Sequence, residues 1–159
     1  MNDITQKPWW SYLETSQQDL LLQSQMLLVN EKVQERHFTD YSFIVFPAAK
    51  AYEGFLKKLF FDLGFINEAV YQGDRFRIGK ALNPSLEKEW RHESIYDKLA
   101  DFCQGSKLPD QLWQAWKNSR NSVFHFWPNH HNLLSLEEAE ARVAEIIAAI
   151  SAAFAECKI

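Results

Sequence analysis

Between positions 113 and 127 the chain reads Trp-Gln-Ala-Trp-Lys-Asn-Ser-Arg-Asn-Ser-Val-Phe-His-Phe-Trp. At about 100° per helical residue, Trp113, Trp116, Val123, Phe124 and Trp127 all fall within about 60° of Arg120. The guanidinium therefore stands in the middle of the most aromatic stripe of the protein. Arginine is almost never buried without a partner, because an unpaired buried charge costs several kcal/mol. Something must meet Arg120: an acidic side chain, a second subunit or a phosphate. His125 lies about 140° from it on an ideal helix, so the two share a face only where the helix deforms or ends. Pro128 disfavours helical geometry at Trp127 and so supplies such an end. A histidine between aromatics is ordinarily a core or surface residue. The weight of His125 as a site residue therefore rests on Arg120.

Two further clusters have chemistry-bearing types. Arg75-Phe76-Arg77-Ile78-Gly79-Lys80 interleaves cations with an aromatic, a pattern suited to phosphates and stacked bases as well as to plain surface charge. His130-His131 could hold a metal, but no acidic or cysteine partner stands at a recognisable spacing, so loop polarity is the simpler reading. No metal site and no cofactor are expected.

These residues need elements to hold them, and the periodicity is mostly helical. Trp9, Leu13, Leu20, Leu21, Leu27 and Leu28 recur at helical spacing, predicting an N-terminal helix over about 8–33. Tyr41, Val45, Ala48, Tyr52, Phe55, Leu56, Leu59 and Leu63 form one stripe of a second helix, stopped at Gly64. Glu53 flanks that stripe at about 100° from Tyr52, at its rim. Pro47 lies early in this stretch, so the helix either begins near it or bends there. Gly73, Gly79 and Pro84 break the rhythm, and Arg75 to Ile78 alternate as a short strand or an ordered loop would. A short helix is expected over about 94–102, ended by Gly105, and another from near Pro109 to about 124–126. Ser135-Leu-Glu-Glu138 is a capping box opening a last helix with Leu136, Ala139, Val143, Ile146, Ile147, Ile150 and Phe154 on its apolar face.

At 159 residues, with no internal repeat or linker, the chain reads as one all-α domain spanning 1–159. Its core covers about 40–156, with four main helices and an irregular insertion over about 65–93 that has room for a short hairpin. Apolar residues at 47% and charged residues at 24% exclude a disordered or collagen-like chain. No apolar run approaches the roughly 20 residues that span a bilayer, so no membrane association is expected. The polar start lacks the apolar region of a signal peptide, and two cysteines are too few for a disulfide framework. A reduced, cytoplasmic setting follows as an expectation. Positions 50–120 hold 12 of the 17 basic and 10 of the 21 acidic residues, so two acidic flanks bracket a mildly basic middle. That balance suits a solvated surface, with room for a small phosphate-facing patch.

Arg120-Asn121-Ser122-Val123-Phe124-His125 resembles the signature of HEPN ribonucleases: Arg, a polar residue, three variable residues, then His. Pro47-Ala-Ala-Lys-Ala-Tyr-Glu53-Gly-Phe-Leu-Lys57 is similar to the upstream helix of the C-terminal toxin domain in RnlA/LsoA-type ribonuclease toxins, and the likeness runs from about 40 to 154. The resemblance implies a HEPN-like helical bundle and a metal-independent endoribonuclease. It also implies a setting in a toxin–antitoxin or phage-defence system. Arg120, His125 and Glu53 would be catalytic, and Asn121 would bind phosphate or position the Arg; Arg75, Arg77 and Lys80 are the further RNA-binding candidates. Histidine suits proton transfer near neutrality, and the arginine fork suits a phosphate gaining charge. The implied product carries a 2′,3′-cyclic phosphate. The implied partners are RNA, a second copy of the chain and an antitoxin protein. The competing class is a non-catalytic HEPN-like module that binds a partner protein or nucleotide, with Arg120 permanently paired to Glu53 or another carboxylate. A metal hydrolase built on His130 and His131 ranks behind both.

Overall fold

The computed structural model describes residues 3–34, 37–125, 128 and 132–157. Among these residues every regular element is helical and no strand occurs. The long elements are α1 (Thr15–Lys32), α2 (Ser42–Asp62), α6 (Lys107–Trp116) and α8 (Leu136–Cys157). Shorter ones are α3 (Glu68–Gln72), α4 (Ile78–Ala81), α5 (Ile95–Phe102) and α7 (Ser122–Phe124). A π-helical turn over Lys117–Asn121 joins α6 to α7.

α2 is the centre. It packs most extensively on α1 and also on α8, while α6 packs on α8 and α5 on α6. Its stripe from Tyr41 to Leu59 is buried as the spacing requires. The helix begins at Ser42 and runs through Pro47. In the turn before that proline, Ser24 of α1 donates to the Ile44 carbonyl at 2.6 Å. The end is fixed by Gly64 at φ +72°. Its N–H reaches the Phe61 carbonyl at 2.9 Å, and the Phe65 N–H reaches Phe60 at 2.8 Å. That pair of bonds is the left-handed helix stop that glycine permits at no steric cost. Tyr52 then ties α2 to α6 by donating to the Leu112 carbonyl at 3.0 Å.

The N-terminal helix is shorter than its spacing suggests. Residues 4–12 form two 3-10 turns, Ile4–Gln6 and Trp10–Tyr12, and α1 starts only at Thr15. Trp9 and Leu13 are buried, so they mimic a helical stripe from outside the helix. α1 is also less cleanly two-faced than expected. Its inner row mixes Leu21 and Leu28 with Gln17, Ser24 and Glu31, while Leu22, Met26, Val29 and Val33 face outward.

The insertion holds no hairpin among the described residues. It contains α3, α4 and a 3-10 stretch over Lys88–Glu93. Asn67 caps α3 by accepting from the Val70 N–H at 3.0 Å. Ile78, Ala81 and Leu82 are all buried. Their spacing of three and four is that of a helical turn, and it prevails over the four-residue alternation at Arg75. Lys57 and Lys98 pin the segment by donating to the carbonyls of Gly73 at 2.6 Å and Phe65 at 3.1 Å. α5 ends at Cys103, where Gln104 takes the positive φ of 54° and not Gly105. The capping box of α8 forms as expected. The Ser135 N–H donates to Glu138 at 2.8 Å, and the Glu138 N–H donates to Ser135 at 3.2 Å.

Candidate functional site

Arg120 lies in the π turn, which widens the helix by one residue and closes through the Ser122 N–H on the Lys117 carbonyl. The local cause is polar. In the run Lys-Asn-Ser-Arg-Asn-Ser, Asn118 donates to Glu145 of α8 at 2.9 Å. Buried Ser119 donates to the Arg142 carbonyl at 3.2 Å and to Glu145 at 3.3 Å. These bonds hold one side of the turn on α8 and leave the next residue, Arg120, directed at α2.

There Arg120 meets Glu53, with Nε 3.8 Å from Oε2. Its guanidinium carbon stands 5.2 Å from the Trp116 ring centroid, within cation–π range. Its Nη1 donates to Asn121 at 3.4 Å. The pair is open to solvent, with side chains 36% and 46% exposed. An arginine expected to need a partner has an acid, a ring and an amide, and still presents part of its fork outward.

His125 follows the last residue of α7 in extended geometry, φ −110° and ψ 129°, and it is exposed. The helix does end where a shared face with Arg120 would need it to. Asn132 donates to the His125 carbonyl at 3.3 Å. Beyond it, Leu134 is clamped to the start of α2: its N–H donates to Asp40 at 3.0 Å and its carbonyl accepts from Tyr41 at 3.0 Å. Burial opposes the charge on Asp40, but the bonds from Leu134 and Ser42 outweigh it and hold the carboxyl below its ordinary value.

One step before His125, the Phe124 ring packs edge-on to Phe46 at 5.2 Å. Glu53 meets Arg120 and Phe46 meets Phe124, so the two helices run in opposite directions here. Lys50 lies between Phe46 and Glu53 on the same α2 face, exposed, its ammonium 5.8 Å from the Phe46 ring. Lys50 thus joins the candidate site by position, and its sequence context alone does not single it out. Its signal is the spacing of four and three that links positions 46, 50 and 53. Asn118, Ser119 and Glu145 are not singled out either. Their signal is an uninterrupted polar run inside an otherwise tryptophan-rich helix.

Among its described members the aromatic stripe around Arg120 is mostly buried. Trp116 is only 3% exposed, Val123 is buried and Trp113 packs partly buried against the core. Of the described members only Phe124, at 37%, is exposed. Trp127, His130 and His131 lie outside the described residues. Among the described residues no three His, Cys, Asp or Glu side chains gather as a metal cluster.

Arg75, Arg77 and Lys80 are brought together, but elsewhere. They line a cavity of about 470 Å³ to which Glu53, Arg120, Asn121 and His125 do not contribute. Of the seven predicted site residues, Arg75, Arg77 and Lys80 thus share one cavity, Glu53 and Asn121 contact Arg120, and His125 stands at the end of α7. Trp116 lies between Arg120 and α4. A Cβ added at Gly79, beside Lys80, would come 2.8 Å from its indole nitrogen.

In comparisons with known proteins, no protein family, no curated protein and no solved structure was found to match the chain.

Proposed function

We propose that the protein is a metal-independent endoribonuclease of HEPN type, acting as a cytoplasmic toxin of a toxin–antitoxin or phage-defence system. The observation that carries the reading is the open Arg120–Glu53 pair, set by a π turn, with exposed His125 at the end of the same helix. Turns of this kind are frequent at functional sites.

In this mechanism His125 takes the proton from a ribose 2′-hydroxyl. The 2′-oxygen attacks the phosphorus, the bond to the 5′-oxygen breaks, and that oxygen leaves with a proton taken from water, while His125 gives its own proton back to solvent. The products are a 2′,3′-cyclic phosphate and a 5′-hydroxyl. Arg120 offers its fork to the phosphate and stabilises the charge gained in the transition state. Glu53 and the Trp116 ring position that fork, Asn121 steadies it, and Lys50 adds a cation on the same face.

A homodimer completes the cleft by bringing two such half-sites together. The surface for it is Phe46, 49% exposed, with Phe43 and Phe124, the exposed described member of the aromatic stripe, around an apolar hollow of about 370 Å³. An antitoxin protein is the expected inhibitor. The test is incubation of the purified protein with total RNA. Cleavage that disappears in Arg120→Ala supports the reading.

One observation favours the second reading, a non-catalytic helical module. Arg120 already has a carboxylate partner within a single copy. Absence of cleavage by the folded wild-type dimer would leave that module as the account.

A further inference from the structure

The cavity over the 65–98 segment combines apolar and cationic lining. Its wall is apolar, with Phe65, Val70, Phe76 and Ile95 among the lining residues. Its rim is cationic, with Arg75, Arg77, Lys80 and Lys98 against one carboxylate, Glu93. This is a concentrated positive site on a chain whose net charge is −4.

The partners of these cations differ. Lys80 is engaged with Glu93 at 3.2 Å and lies 3.7 Å from the Trp90 ring centroid. Lys98 is partly buried and, among the described residues, donates to the Phe65 carbonyl alone, at 3.1 Å, which leaves two of its N–H groups for something else. Arg75 and Arg77 are exposed, and among the described residues no side chain pairs with either. Like charges gathered without counter-ions repel, and an anion in the cavity would relieve that repulsion.

The apolar wall decides what kind of anion. A bare phosphate would leave it uncovered, whereas about 470 Å³ lies in the range of small-ligand sites. The rings have aromatic neighbours: Phe76 meets buried Phe60 edge-on at 6.5 Å, and Phe65 meets Phe102 at 6.2 Å. Aromatic faces beside arginine forks suit a flat heteroaromatic ring carrying a phosphate.

We infer that this cavity binds a nucleoside phosphate, with the base against Phe65 and Phe76 and the phosphate on Arg75, Arg77 and Lys98. Free nucleotide and the 5′-phosphorylated end of an RNA strand share this chemistry. The inference goes beyond the ribonuclease reading and does not depend on it.

The test is calorimetric titration of the whole protein with inorganic phosphate, AMP and a 5′-phosphorylated, 2′-O-methylated tetranucleotide, which cannot be cleaved through its 2′-oxygen. AMP should bind at least about tenfold more tightly than phosphate, because only it covers the apolar wall. The Arg75→Ala/Arg77→Ala variant should lose at least about tenfold in affinity while keeping its fold, since neither side chain holds a structural bond. Lys98→Gln should weaken AMP as well, and circular dichroism checks that it folds. Tight binding of the tetranucleotide in competition with AMP assigns the site to RNA ends; binding of AMP alone assigns it to free nucleotide. AMP binding no better than phosphate, or undiminished in the double-arginine variant, overturns the inference. His125→Ala should bind AMP normally, so loss of the ribonuclease reading leaves this result standing.

Discussion

The molecule holds its cations in two contrasting ways. Arg120 is paired: an acid, a ring and an amide fix one arginine on a turn pinned to α8. Arg75 and Arg77 have no such partners among the described residues and stand at the mouth of a half-apolar cavity. A paired arginine is a positioned group, partly neutralised and restricted in motion. An unpaired one attracts anions without orienting them. Positioning suits a step in which charge develops at one atom, and loose attraction suits retention of a ligand. Trp116 touches Arg120 on one side and nearly touches Gly79 on another, so one side chain supports both regions.

The sharpest division between the regions is functional. Arg120→Ala should lower RNA cleavage by at least about 10²-fold and leave AMP binding unchanged, while the double-arginine variant should lose AMP binding and still cleave RNA that lacks a 5′-phosphate. Parallel rate and titration measurements decide this. Equal losses of both activities in both variants would merge the regions into one site.

Phe46→Glu places a carboxylate on the exposed ring surface beside the pair. It should turn a dimer near twice 18.6 kDa into a monomer that does not cleave but still takes up AMP. Light scattering at micromolar concentration reads the mass. A wild-type monomer with full activity would remove the shared cleft, although Arg120 and His125 could still act within one chain.

Gly79→Ala attacks the shared support. The added methyl group meets the buried Trp116 ring, which must shift, at a cost of about 1–3 kcal/mol. Tm should fall by about 2–4 °C for each kcal/mol lost. Both cleavage and AMP binding should weaken. An unchanged Tm would mean that Trp116 yields freely and supports neither region.

Glu53→Gln unties the pair without emptying the space. If Glu53 positions the arginine, kcat should fall about tenfold while KM also falls, because the fork is freer to hold ground-state phosphate. A loss beyond about 10²-fold would make Glu53 a proton acceptor instead.

The smallest effect concerns Asp40, which clamps the chain beyond His125. Its lowered pKa means that its contribution is present above the ordinary carboxyl value near 3.9 and is lost as pH falls through the folded value. Denaturant titrations of wild type and Asp40→Asn should therefore differ at pH 7 and converge towards pH 3. A constant difference would assign the effect to packing.

Much of this frame was legible in the sequence, for a physical reason. α2 and α8 bury one regular stripe each, and Gly64 and Ser135 mark their ends through backbone needs that few residue types meet. The start of α1 was not legible, because Trp9 and Leu13 are buried from 3-10 turns at spacings that imitate a helix. Of the two readings open for the insertion, strand or ordered loop, 75–77 take the loop, and Ile78, Ala81 and Leu82 bury as a helical turn after it. Arg120 and Glu53 were both singled out from the sequence. What brings them together is the extra residue of the π turn, and that depends on Asn118 and Ser119 reaching Glu145, a contact 26 or 27 positions away. The positive cavity was half visible as Arg75, Arg77 and Lys80. Lys98 joins it only through tertiary folding.

The central claim of the proposed function is proton transfer by His125 with phosphate stabilisation by Arg120. The direct measurement is the rate of RNA cleavage by wild type and His125→Ala in excess chelator, with product ends identified. The account predicts chelator-resistant cleavage leaving 2′,3′-cyclic phosphate, and a loss of at least about 10²-fold in a His125→Ala protein with unchanged circular dichroism. Full cleavage by that folded variant, or wild-type activity abolished by chelator and restored by Mg²⁺ or Zn²⁺, would contradict it.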